Sequence, residues 1–195
     1  MLKLSLYSQN ISQKEWKSND FNLVFLKLDY TSNVTVIEST SDNIYVKYEQ
    51  EGEFKENTIL KTSIKNRELN IQEIISPTLK TFNDKLSVHK RIANTIKVEV
   101  PINFRTIIET KSCNMKIMSS FSDIHIKINE GKINLNQNKI RGEIKSISAD
   151  IFCVNTLSKL LLSSKSGIIS GLYNSSFMPN LIIKTIRGDI RKECL

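Results

Sequence analysis

Glycine and proline are scarce in this chain, at six and three residues of 195. That leaves no flexible linker, collagen-like tract or low-complexity segment. Cysteine occurs three times and histidine twice. Cys113, Cys153 and Cys194 are odd in number and lack metal or redox spacing, so plain thiols in a reducing compartment are expected. His89 and His125 are far apart, and no third ligand is spaced to complete a metal site. The apolar stretch in residues 1–6 is broken by Lys3 and Ser5, too short for a signal-peptide core, and no run approaches a membrane span. The expected location is therefore cytoplasmic by default. A glycine-rich phosphate loop, a nucleophile elbow and a Cys–His pair are all missing, so no cofactor is expected.

Charge is present but uneven. The formal net charge is +8. Residues 104–195 hold 14 Lys/Arg against 7 Asp/Glu, which leaves +7, and the first 103 residues are nearly balanced at +1. A basic half invites an anionic-polymer reading. Nucleic-acid binders usually cluster arginine and aromatic side chains as well. Here the basic half has no tryptophan, and its aromatics are Phe104, Phe121, Phe152, Tyr173 and Phe177. The nucleic-acid signal is weak.

What the chain does have is a repeat. Residues 110–115, 128–133, 146–151, 164–169 and 185–190 align with a small residue in one column: Cys113, Gly131, Ala149, Gly167 and Gly188. Apolar residues recur before it at Ile108, Ile126, Ile144, Leu162 and Ile183. They recur after it at Met115, Ile133, Ile151, Ile169 and Ile190. Inward positions of a strand keep one parity. Ile126 and Ile128 are even whereas Gly131, Ile133 and Leu135 are odd, so a bend must lie between them. A crowded corner with no room for a large side chain explains the small column, because Ala149 and Cys113 would not suit positive φ. Period-2 alternation dominated by isoleucine means strands, two short ones per repeat. A repeat of about this size is the signature of a stacked solenoid.

The first half is less regular. Strand runs are expected over residues 21–28, 34–38, 44–48, 59–64, 69–74 and 96–100, with turn residues between them. Trp16 is expected to tuck against the sheet. Residues 49–56 read as a solvated acidic loop, and residues 75–94 as a long irregular connection of the kind that often carries function. Helix is limited to a turn or two at residues 13–17 or 79–91. The expected organisation is a capping β-sheet region over 1–103 and a β-solenoid over 104–195, together one continuous fold.

The run Ile96-Lys97-Val98-Glu99-Val100-Pro101, followed by Gly131-Lys132-Ile133-Asn134, Gly167-Ile168-Ile169-Ser170 and Gly188-Asp189-Ile190-Arg191, resembles bacterial candidate-adhesin β-solenoid families of unknown function. They include the group named for a Gly-Ile-Asn head motif. The resemblance spans residues 20–192. It implies a single-chain β-helix and supplies no catalytic residues; for the solenoid as a whole a right-handed coil is the favoured expectation.

Three functional classes remain open. The preferred one is a non-catalytic binding or scaffold protein, adhesin-like, facing a protein or polysaccharide surface. A carbohydrate-active solenoid enzyme is the second, with Asp150 and Asp189 expected in one column about 10 Å apart, two coil steps across Ile168. A binder of anionic polymers is the third. It would use Lys127 and Lys145 on adjacent coils, with Lys184 returning to their outward column two coils later.

Overall fold

The computed structural model describes residues 10–51, 58–77, 93–102, 104–118, 123–136, 140–154, 158–175 and 177–192. Among them are fifteen strands and one 3-10 turn, Ser18–Asp20, and no α-helix. The strands are β1 Asn10–Lys17, β2 Leu23–Leu28, β3 Thr31–Glu38, β4 Asn43–Glu51, β5 Thr58–Lys65, β6 Glu68–Ile75, β7 Ala93–Val100, β8 Arg105–Met118 and β9 Asp123–Asn136. Then follow β10 Gly142–Ser146, β11 Asp150–Val154, β12 Leu160–Ser164, β13 Ile169–Ser170, β14 Leu181–Thr185 and β15 Ile190–Lys192. All fifteen belong to one mixed sheet.

The sheet turns a corner within its longest strands. In β8 the buried side chains are Thr106, Ile108 and Thr110, then Cys113, Met115 and Ile117. In β9 they are Ile124, Ile126 and Ile128, then Ile133 and Leu135. Each strand changes parity once, so its two halves present opposite sides to the same core. The sheet therefore has two rows. The first runs β5, β6, β2, the first half of β8, the first half of β9, β10, β14 and β12. The second runs β1, β4, β7, β3, the later halves of β8 and β9, β11, β15 and β13.

Isoleucine holds the rows together. Ile108, Ile126, Ile144, Ile183 and Leu162 pair in register in the first row. Met115, Ile133, Ile151, Ile190 and Ile169 do so in the second. β-Branched side chains suit such half-buried pleated surfaces.

Toward the N-terminal strands the rows are joined by polar groups. Tyr48 of β4 donates its phenol to Glu73 Oε1 of β6 at 2.6 Å, and Asn94 Nδ2 of β7 donates to the same oxygen at 2.8 Å. Tyr30 N–H reaches Glu73 Oε2 at 2.7 Å. Gln50 and Thr58 complete the buried group. Burial, and then the carboxylate of Glu73, push the Tyr48 phenol well above its ordinary pKa.

The order of the last coils departs from the expected sequential stack. β14 and β15, last in sequence, lie between β10–β11 and β12–β13. What the structure establishes about the expected β-solenoid is the coarser statement: an all-β chain with one large mixed sheet. The antiparallel pairs β1–β4, β4–β7 and β5–β6 make it mixed, and they belong to the less regular first half.

The strand runs expected in the first half form as β2 to β7, and Trp16 packs partly buried against the core. Residues 13–17, expected to offer a helical turn, lie in edge strand β1, where pairing with β4 overrides local preference. The acidic stretch at 49–56 begins inside β4, where Gln50 is buried. Residues 79–91 and most of the 75–94 connection fall outside the described residues, as do His89 and Cys194.

Candidate functional site

The small residues stack across coils where the sheet bends. Cys113 pairs with Gly131. A Cβ built on Gly131 would sit 2.0 Å from the Cys113 carbonyl oxygen, and the residue's φ is +120°. A Cβ on Gly188 would sit 1.9 Å from the Ala149 oxygen, and one on Gly167 would sit 2.1 Å from the Gly188 oxygen. The column thus runs 113, 131, 149, 188, 167. At Gly188 and Gly167 close backbone approach is the constraint. Gly131 adds a left-handed φ, which expectation from Ala149 and Cys113 had set aside.

Lys127, Lys145 and Lys184 lie side by side on the outer surface of the first row, Lys127 paired with Lys145 and Lys145 with Lys184. The expected two-coil gap between Lys145 and Lys184 does not exist, because β14 is the direct neighbour of β10. Two carboxylates lie against these cations. Glu143 Oε2 is 2.7 Å from Lys145 Nζ and its Oε1 is 3.2 Å from Lys184 Nζ. Glu109 reaches Lys127 at 3.8 Å. The Lys145 hydrogen bond, then that of Lys184, hold the Glu143 carboxyl below its ordinary pKa. Like charges this close would otherwise repel, and Glu143 supplies the anion between them. Sequence reasoning missed Glu143. Its spacing of two from Lys145 places both on one strand face, but its contact with Lys184 depends on strand order.

The acids of the second row are engaged with backbone. Asp189 N–H donates to Asp150 Oδ1 at 3.0 Å, and Ile168 N–H donates to Asp189 Oδ1 at 2.8 Å. Arg191 also meets Asp189. The Ile168 amide first, and Arg191 next, lower the Asp189 pKa. The expected pair about 10 Å apart is therefore replaced by neighbours in adjacent coils, each bonding the backbone of the next. Both carboxylates thus serve as acceptors for backbone amides of the neighbouring coil.

On the outer surface of the second row, a shallow groove of about 450 Å³ lies over β1, β4 and β7. Glu15, Tyr45, Lys47, Lys97 and Glu99 line it, with Ser39 to Ser41 at its rim. Lys47 pairs with Glu49, and Lys97 with Glu99 at 2.8 Å. Glu15 accepts from Asn43 Nδ2 at 2.6 Å. Nothing in the repeat-based reading pointed to this groove, which is assembled from strands of the first half.

Cys113 and Cys153 are buried free thiols, pushed up to about 11 and about 12 by burial. Such groups are poor nucleophiles. His125 lies half-exposed on the outer face, with Nε2 at 2.7 Å from Asp123 Oδ1. Among the described residues no cluster of three or more His, Cys, Asp or Glu could hold a metal ion. No helix among them is long and apolar enough to cross a membrane.

No protein-family model matches the sequence, and no curated protein matches it either. Solved structures do resemble it. One is a candidate cell adhesion protein from Clostridium sporogenes, with a TM-score of 0.60 and 14% identity over 96% of this chain and 100% of that one. At that identity the match shows a shared fold. Candidate adhesins from Parabacteroides merdae and Bacteroides fragilis align over 94% and 95% of this chain, at 12% and 14% identity. They cover 79% and 98% of their own chains, and with TM-scores of 0.40 and 0.35 they carry no further argument.

Proposed function

We propose that this chain is a non-catalytic binding or scaffold protein of adhesin type. In this reading residues 104–195 wind as a right-handed β-solenoid, and residues 1–103 form a sheet that caps it. The observation that carries the functional reading is where the reactive side chains of the parallel half are placed. Asp150 and Asp189 bond backbone amides, Glu143 bonds two lysines, and Cys113 and Cys153 are buried. Its outer surfaces are instead side-chain ladders suited to lying against an extended partner. The groove over β1, β4 and β7, with a tyrosine ring among carboxylates, ammonium groups and hydroxyls, suits a polysaccharide or protein surface. The likeness to a candidate cell adhesion protein supports the same reading.

Glu143 and Glu109 offset two of the three lysine charges in this column, which weakens the anionic-polymer alternative. The test is to incubate the full chain with a panel of neutral and acidic polysaccharides and score retention and release of reducing ends together. Retention without release is expected, and changing Lys97 and Tyr45 to alanine should reduce it. Release of reducing ends would overturn the reading in favour of an enzyme. Retention confined to heparin and lost when Lys127 and Lys145 become glutamine would favour the polymer binder.

A further inference from the structure

The far end of the sheet has its edge bonded and large apolar side chains exposed. β12 is the last strand of the first row and has β14 on one side only. Residues 171–175 and 177–180 cross its other side. Ser175 N–H donates to the Leu160 oxygen at 2.7 Å, and Asn174 Oδ1 accepts the Leu162 amide at 2.5 Å. Asn180 N–H donates to the Lys159 oxygen at 2.8 Å. A strand of another molecule would therefore find these edge groups already satisfied.

The same crossing segment turns its large apolar side chains outward. Leu172 packs against the core, but Tyr173 is 88% exposed, Phe177 67% and Met178 76%. Ser175 fixes that geometry, its hydroxyl donating to the Phe177 oxygen at 2.7 Å and accepting the Phe177 amide at 3.3 Å. Ile168, in the bend of the last coil, is 60% exposed. Clustered apolar exposure of this kind marks an interaction surface.

Charge decides what the surface meets. Lys159, Lys165, Arg187 and Lys192 belong to the last two coils, and none has a carboxylate partner among the described residues. The Lys159 ammonium lies 5.3 Å from the centre of the Phe177 ring. The Lys192 side chain lies against Gly171 at the start of the crossing segment. We propose that this end docks on an anionic lipid bilayer, with Tyr173, Phe177 and Met178 entering the interface and the flanking cations meeting lipid phosphates. Aromatic and apolar side chains ringed by lysine are what such an interface takes up. A second copy would bring the same cations face to face, and charge opposes that.

The experiment is co-sedimentation of the full chain with phosphatidylcholine vesicles, with and without phosphatidylglycerol. Binding is expected only with phosphatidylglycerol, weakening as salt is added. Phe177→Ser with Met178→Ser should weaken it about tenfold or more, while leaving the melting curve unchanged, since both side chains are exposed. Lys159→Gln with Lys192→Gln should weaken it as well. Inorganic phosphate at matched phosphate concentration should leave the protein on the vesicles. Failure to bind phosphatidylglycerol vesicles, or equal binding by the Phe177/Met178 variant, overturns the proposal. So does release by free phosphate, which would mean an ion site. A wild-type dimer in sedimentation equilibrium that the same variant breaks would assign the surface to a second copy instead.

Discussion

Asp189 donates its backbone N–H to Oδ1 of Asp150 at 3.0 Å, although 39 positions separate them in the chain. The bond joins adjacent coils at the bend of the sheet, where Gly188 already sits against the Ala149 carbonyl. It also gives the two acids in that column of the repeat a structural role. Each one completes the backbone bonding of its neighbour coil.

Removing that acceptor should therefore act on stability. Asp150→Ala leaves the Asp189 amide without its partner at a partly buried position, and a cost of about 1–3 kcal/mol is expected. Lys145→Ala, on the solvated outer face, should cost about 0.5 kcal/mol or less. Urea unfolding of both variants checks the contrast. Equal midpoints would show that Asp150 is only a surface acid.

Gly188 tests the crowding at the bend. An added Cβ would meet the Ala149 carbonyl oxygen at 1.9 Å and its carbon at 2.6 Å, and both are backbone atoms that cannot swing aside. Gly188→Ala should destabilise the fold by about 1–3 kcal/mol or more. The reverse change in the same column, Ala149→Gly, removes one methyl group and should cost about 0.5–1 kcal/mol through chain entropy. Thermal melting of the two proteins measures the difference, and a neutral Gly188→Ala would refute close backbone approach as the reason for the small column.

The strand order makes a third expectation. Deleting residues 181–195 removes β14 and β15, which lie between β10–β11 and β12–β13. The coil of residues 160–170 then loses the strands it pairs with. Loss of strand signal by circular dichroism should exceed that of the deleted residues, and protease should cut between residues 155 and 180. A truncated chain that loses only the deleted strands would mean that the coils stack in sequence order.

The local sequence determined which residues share a column and which way they face. The parity break between Ile128 and Ile133, and between Thr110 and Cys113, is visible as apolar spacing, because a strand puts alternate side chains on opposite sides whatever it pairs with. The strand runs of the first half were legible for the same reason. Which coil lies beside which was decided only by the tertiary structure. Ile144 could stack as well on Leu162 as on Ile183, since both present the same aliphatic face at the same register. The crossing segment, bonded over β12 through Asn174, Ser175 and Asn180, accompanies the placement of β14 inside and β12 at the end. From that one choice follow the contact of Glu143 with Lys184, the bond from Asp189 to Asp150, and the apolar end of the sheet. A period in sequence fixes distance along a coil, whereas order between coils depends on how the connections cross and on which edges they cover.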